Sequence, residues 1–234
     1  MDTTTRAGSI AVTDDDRVLA LVPGDETRTH GERLPAEISV ALDQAGVSRD
    51  RLDLLAVATG PGGFTGLRIG LAAIQGLAMT LNKPVAGVSA LDALAQQVDA
   101  TDAAIIVPWM DAQRGDVFAT LIDARSKATI EPAVADSPAA VLDRWRSHLA
   151  RPSIVFIGDA VARDAALLAA GQARWQTRRP EPLAPQIAVL ARQLAEQGKA
   201  GPPHALTPIY VRRSDAEIDR DKRAAKSTDG TGSH

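Results

Sequence analysis

Residues whose type and spacing could do chemistry are few along this chain. They concentrate in one run, Gly60-Pro-Gly-Gly-Phe-Thr-Gly-Leu-Arg-Ile-Gly70. Glycines between a strand and a helix allow positive φ and close backbone approach, and the free amides of a helix N-terminus attract anions. A phosphate cradle is therefore one reading of Gly60, Gly62, Gly63 and Gly66. The spacing does not complete it. No Gly-Lys-Ser/Thr follows, as a P-loop needs, and the glycines miss the dinucleotide fingerprint. Residue chemistry favours a tight structural turn, with Thr65 available to cap the helix behind it.

The remaining reactive groups are isolated. His30, His148, His204 and His234 form no His-x-x-x-His pair, and no carboxylate stands at metal-ligand spacing from them. There is no cysteine, which excludes disulfides, thiolate zinc sites and cysteine nucleophiles. Ser9 and Ser89 lack a Gly-x-Ser-x-Gly context. Arg212-Arg213, with Lys222-Arg223 and Lys226 beyond, is a basic tail broken by acids, as expected of a solvated end. A net charge of −3 argues against gripping nucleic acid across the whole surface, and 3% aromatic residues argue against base-stacking platforms. The first residues lack the apolar core of a signal peptide, and no apolar run approaches the ~20 residues of a membrane helix. The expectation is a soluble cytoplasmic protein with no membrane contact.

The elements that must position these residues read as α/β. Ser9–Val12 and Arg17–Val22 form a hairpin pattern around three aspartates, and 27–30 reads as a third short extended stretch. Apolar spacing predicts a helix from about Glu32 to Ala45, ended by Gly46. The run 52–59 has the near-continuous apolar character of a strand buried on both faces. A helix over about Thr65–Leu81 follows the glycine turn, then a strand at Val85–Val88 and a helix at 90–98 capped by Ser89. The pattern then restarts. Strands are expected at 103–109, 116–122, 129–134 and 153–157, with helices at 138–149, 162–170 and 186–197 and a last short strand at 209–211. This order suggests two related lobes, 1–99 and 100–218, with a polar, disordered tail over 219–234.

The helix after the turn carries two stripes. Leu67, Leu71, Ile74, Leu77 and Leu81 make a large apolar one, and Gly66, Gly70, Ala73 and Gly76 a small one beside it. That pairing suits a helix touching a sheet and a second helix at close range. The second helix could lie within the same domain or on another subunit.

The segment Thr59–Gly70 with Leu71-Ala-Ala-Ile-Gln-Gly-Leu-Ala78 resembles the signature of the TsaB (YeaZ) family. Weaker matches, in order along the chain, are Asp2-Thr-Thr-Thr, His30-x-Glu32-x-Leu34, Gly87-Val-Ser-Ala-Leu91, Asp111-Ala-Gln-Arg-Gly115 and Pro208-Ile-Tyr-Val-Arg-Arg213. The resemblance implies a two-lobed actin-like/Hsp70-like (ribonuclease H-like) fold and a role as a non-catalytic subunit. Such a subunit pairs with a TsaD-type catalytic homologue and a TsaE-type small ATPase. Together they add threonylcarbamoyl to adenosine 37 of tRNAs reading ANN codons. ATP and metal would belong to the partners, and tRNA would be met through the complex.

Carried over by position, the partner-binding candidates are Leu34, Ile38, Leu42, Leu67, Arg68, Leu71, Ile74 and Ala78, whose apolar face also suits a homodimer. Asp2 and Asp111 stand where ATPases of this fold place nucleotide-site carboxylates, implying a vestigial pocket. The competing readings are a stand-alone ATPase or sugar-kinase-like enzyme of the same fold and, third, a peptidase. Three departures from the family pattern, at Gly63, Gln113 and Phe118, look tolerable. A larger one is that Met1 stands where an opening apolar strand should end. Its loss should leave neighbouring strands with unpaired backbone groups, so the start is expected a few residues upstream of Met1.

Overall fold

The computed structural model describes residues 1–150, 153–171 and 175–212. The expected disordered tail and the last residues of the second lobe lie outside the described residues. In the first lobe, β1 (Ser9–Asp14) and β2 (Arg17–Pro23) form an antiparallel hairpin. Then come α1 (His30–Ala45), β3 (Leu55–Gly60), α2 (Phe64–Leu81), β4 (Val85–Ser89) and α3 (Ala90–Ala95), with β3 and β4 parallel. In the second lobe, β5 (Ile105–Asp111), β6 (Val117–Asp123), β7 (Thr129–Asp136), β8 (Ile154–Ile157) and β9 (Trp175–Arg178) form one sheet of order β7-β6-β5-β8-β9. Between its strands lie α4 (Pro138–Arg144), α5 (Arg146–Leu149) and α6 (Ala165–Ala169), and α7 (Ala184–Glu196) follows it.

Three apolar cores hold these elements in layers. Behind α1 and α2 lie Leu34, Leu42, Val57, Leu67, Leu71 and Ile74. A middle core joins the lobes, with Leu91 and Leu94 of α3 and Ile187 and Ala191 of α7 between the two sheets. Trp109, Trp145, Phe156 and Leu168 fill the outer core of the second lobe. Element order would assign α7 to the second lobe, but α7 packs on β1, β3 and β4. The limit near residue 100 therefore describes the order of the chain and not its packing.

Several boundaries differ from the sequence expectation for local reasons. The stretch 27–30 is no strand, because Asp25 accepts hydrogen bonds from the amide (2.9 Å) and hydroxyl (2.6 Å) of Thr27 and closes a turn. Thr29 and Glu32 then form a capping box that starts α1 two residues early. Gly46, at φ 65°, ends α1 where expected. The helix expected over 138–149 breaks at Trp145, which has non-helical φ/ψ and is buried. The residues 209–211 form no strand, and β9 has no counterpart in the sequence expectation.

The first lobe has no continuous sheet. Its four strands form two separate pairs, and among the described residues Met1 and Asp2 alone bridge them by backbone hydrogen bonds. The Met1 α-amino group donates to the Ala56 carbonyl (2.9 Å), and the Ala58 amide donates to the Met1 carbonyl (3.0 Å). Asp2 exchanges both backbone bonds with Ser9 at 2.8 and 3.0 Å. Helix α2 has 18 residues and a mean hydropathy of 1.3, enough by length and composition to cross a membrane. Here its apolar stripe is spent on β3 and on the core behind it.

Candidate functional site

The glycine turn carries β3 into α2 around a cis Gly60–Pro61 bond, with Gly60 at φ 116°. One of its amides is already committed. The Gly63 N–H donates to the Thr4 carbonyl (3.0 Å), and the Leu67 N–H to the Gly63 carbonyl (2.9 Å). A Cβ on Gly62 would stand 2.5 Å from Thr4 Cβ, and one on Gly66 or Gly70 would collide with Thr3. These glycines are a landing strip for the Asp2–Thr5 loop. The Gly63 amide and the space over Gly62 belong to that loop, which favours the tight structural turn over a phosphate cradle. The helix N-cap is Gly63, not Thr65.

The loop is fastened from both sides. Asp2 is buried, and its carboxylate accepts from the Thr4 amide (2.8 Å), the Thr4 hydroxyl (2.6 Å) and the Thr5 hydroxyl (3.3 Å). From α1, the buried Arg33 donates to the Ala7 carbonyl and binds both Glu37 oxygens at 2.7 Å. Its remaining Nη2 proton points at His30 Nδ1 (2.8 Å). Because Arg33 can only donate, Nδ1 accepts, and Nε2–H donates to the Thr5 carbonyl (3.0 Å). Burial, reinforced by Arg33, holds the His30 pKa below its ordinary value.

The faces of the two helices correct the sequence assignment. Leu34, Leu42, Leu67, Leu71, Ile74 and Ala78 are all buried in the lobe's own core, and Ile38 is half-buried beside them. The large stripe holds α1 and α2 to the sheet. Facing solvent are Ala36 and Val40 of α1 and Phe64, Arg68, Ala72, Gly76 and Met79 of α2. Met79 is 71% exposed, and nothing lies within 4 Å of a Cβ built on Gly76. The small stripe divides as well, with Gly66 and Gly70 under the loop and Gly76 open. Arg68 is the one sequence candidate on the outer face, with its guanidinium 3.9 Å from the Phe64 ring centroid and its Nε donating to the Tyr210 hydroxyl (3.2 Å).

Between the lobes, the segment 202–212 runs across the glycine turn. Gln75 donates to the carbonyls of Pro203 (3.0 Å) and Leu206 (3.1 Å), and the Ile209 amide to that of Thr59 (2.7 Å). Tyr210 stacks on Phe64 at 5.6 Å. The cleft left between the turn, Asp111 and Tyr210 measures about 100 Å³, against roughly 300–1,000 Å³ for ligand pockets.

A family model described as TsaD, tRNA N6-adenosine threonylcarbamoyltransferase, matches residues 16–219. The tRNA threonylcarbamoyladenosine biosynthesis protein TsaB of Bacillus subtilis is 28% identical over 228 residues, covering 93% of this chain and 94% of its own. YeaZ from Pseudomonas aeruginosa superposes with a TM-score of 0.75 at 26% identity, over 89% of this chain and 96% of that one. The chain belongs to the TsaB (YeaZ) family. TsaB of Escherichia coli is 36% identical over 122 residues, about half of each protein.

The two carboxylates likened to the ATPase relatives of the TsaB family are not brought together in one pocket. Asp2 is used up inside its loop and does not line the cleft. Asp111 lines it, but is paired with Arg163 at 2.5 Å. Arg163 also holds Asp164 (2.9 Å), which accepts from Trp109 Nε1 (2.8 Å). Burial, and then the charge of Asp111, pushes the Asp159 carboxyl above its usual range, where it accepts the Asp111 amide (2.9 Å). Burial also opposes ionisation of Asp164, but the hydrogen bonds from Arg163 and Trp109 outweigh it and lower its pKa. Among the described residues, no group of three or more His, Asp or Glu side chains could hold a metal ion. The sequence reasoning missed Arg33 and Glu37. Their i,i+4 spacing was the available signal.

Proposed function

We propose that this chain is a non-catalytic subunit of the assembly that adds threonylcarbamoyl to adenosine 37 of ANN-decoding tRNAs. It acts by docking a TsaD-type catalytic subunit on the outer face of α1 and α2, and that assembly includes a TsaE-type ATPase. ATP, metal and the tRNA substrate are handled by the assembly, with no cofactor on this chain. The family supports the pathway. The observation that carries the mode of action is the outer helix face, where Ala36, Val40, Ala72, Gly76 and Met79 leave a low, uncharged strip. Small side chains let another helix approach closely.

Gly76→Glu tests this without disturbing the core, because the site is open and Glu is the better helix former by up to about 1 kcal/mol. Co-purification with the TsaD-type protein of the same organism should drop at least tenfold, as should threonylcarbamoylation in a reconstituted assay, while thermal stability holds. Undiminished binding would remove this face from the interface. The stand-alone ATPase reading requires nucleotide hydrolysis by the isolated chain and its loss in Asp111→Ala. The small size of the cleft and the Asp111–Arg163 pair speak against it.

A further inference from the structure

Sulfur is scarce in this chain. There is no cysteine, and the methionines are three, Met1, Met79 and Met110. Two of them are shut away. Met1 is 6% exposed in the core under α1 and α2, and Met110 on β5 is 2% exposed in the core between the lobes. Met79, in the last turn of α2, is 71% exposed, the most of any large apolar side chain among the described residues. It takes no part in the three apolar cores. The accessible sulfur of the protein is therefore one thioether, raised above the low strip of Ala72 and Gly76. Helix propensity does not ask for it there, because Lys, Gln or Glu would serve a solvated helix face as well. A flexible, polarisable thioether suits a surface that a partner covers.

On the docking role given above to the outer face of α1 and α2, we propose that Met79 is an oxidation site through which peroxide controls docking. The sulfur lone pair attacks one oxygen of hydrogen peroxide. The S–O bond forms as the O–O bond breaks, and sulfur gives up two electrons. The departing hydroxide takes the proton left on the transferred oxygen and leaves as water. The sulfoxide that results is polar and accepts hydrogen bonds. On the free subunit water satisfies it, so the fold is unaffected. Beneath a docked helix, Ala72 and Gly76 offer it no side-chain donor, and the acceptor is buried without a partner. Reversal needs a dithiol, acting through a methionine sulfoxide reductase, which removes the oxygen as water and becomes a disulfide. This chain, without cysteine, does not supply that reductant. Docking in turn covers Met79, so the undocked subunit is the form open to peroxide.

The test oxidises the purified chain with hydrogen peroxide, removes the peroxide, and adds the untreated TsaD-type protein of the same organism. Peptide mass analysis should find one added oxygen at Met79 before any at Met1 or Met110. The Kd for the partner should rise at least about fivefold with Tm unchanged. It should return after treatment with sulfoxide reductases for both epimers and dithiothreitol. Whatever binding Met79→Leu retains should be the same before and after peroxide. In the preformed complex, oxidation of Met79 should slow by about fivefold or more. Oxygen added first at Met1 or Met110, or an unchanged Kd with Met79 oxidised, would overturn the proposal. Gly76→Glu tells the two failures apart. If it weakens binding and the sulfoxide does not, the oxidation site alone falls. If neither weakens binding, the docking face falls and the site with it.

Discussion

The two sheets of this protein are bounded by helices in the same way and closed differently. In the second lobe, five hydrogen-bonded strands run from β7 to β9, and the central β5 and β8 are buried throughout apart from the last residue of β5. In the first, among the described residues, two pairs of strands are bridged by the backbone of Met1 and Asp2. The first lobe adds polar fastening, as Arg33, His30 and Asp2 hold one loop against α1 and the glycine strip of α2. The contrast teaches that a helix pair can be fixed by its loop and its apolar stripe as well as by the sheet beneath it.

Truncation of large side chains sharpens this contrast most. Phe156→Ala, in a strand with both neighbours paired and packed against Trp109 and Trp175, should cost about 3–5 kcal/mol in chemical denaturation. Leu42→Ala, on the wall of a cavity in the first lobe, should fall near the low end, about 2 kcal/mol. Equal losses would mean that the two lobes are packed alike. The next effect belongs to the first lobe alone. Burial lowers the Met1 α-ammonium pKa from 8.0 to about 6. Between those values the unfolded chain binds the proton more tightly, so stability should fall as pH drops from 8 to 6 and level off below. The span is on the order of 2–3 kcal/mol, and it should vanish when Met1 is extended or acetylated. A flat profile would place the amino group in water. Smallest is Thr29→Ala, which removes the capping box of α1 and should cost about 0.5–2 kcal/mol.

The sequence made most of the element order legible, because buried strands and periodic helices leave strong local patterns. The run 52–59 and the stripe Leu67–Leu71–Ile74 were visible for that reason. Periodicity shows that a stripe exists, however, and not what it faces. Six of the eight residues assigned to a partner are buried in the lobe's own core, Arg68 lies outside it, and the rest of the outer face was found only from the fold. The glycines pointed to a close approach correctly, but the approaching group, Thr3 and Thr4, lies about 60 residues away in sequence, where no spacing rule reaches. The strand β9, Trp-Gln-Thr-Arg, has a single apolar residue and no buried one, and gave no apolar run to read.

The segment that ends the described chain has a mechanical consequence. It is tied to the first lobe through Thr59 and Gln75, and to the second through Arg212, which reaches Asp116 at 3.1 Å. With α3 and α7 wedged between the sheets, it braces the two lobes against the hinge movement by which a jaw opens and shuts on a ligand. Such ties work against a hinge and favour a surface that acts as a template over one that acts as a clamp.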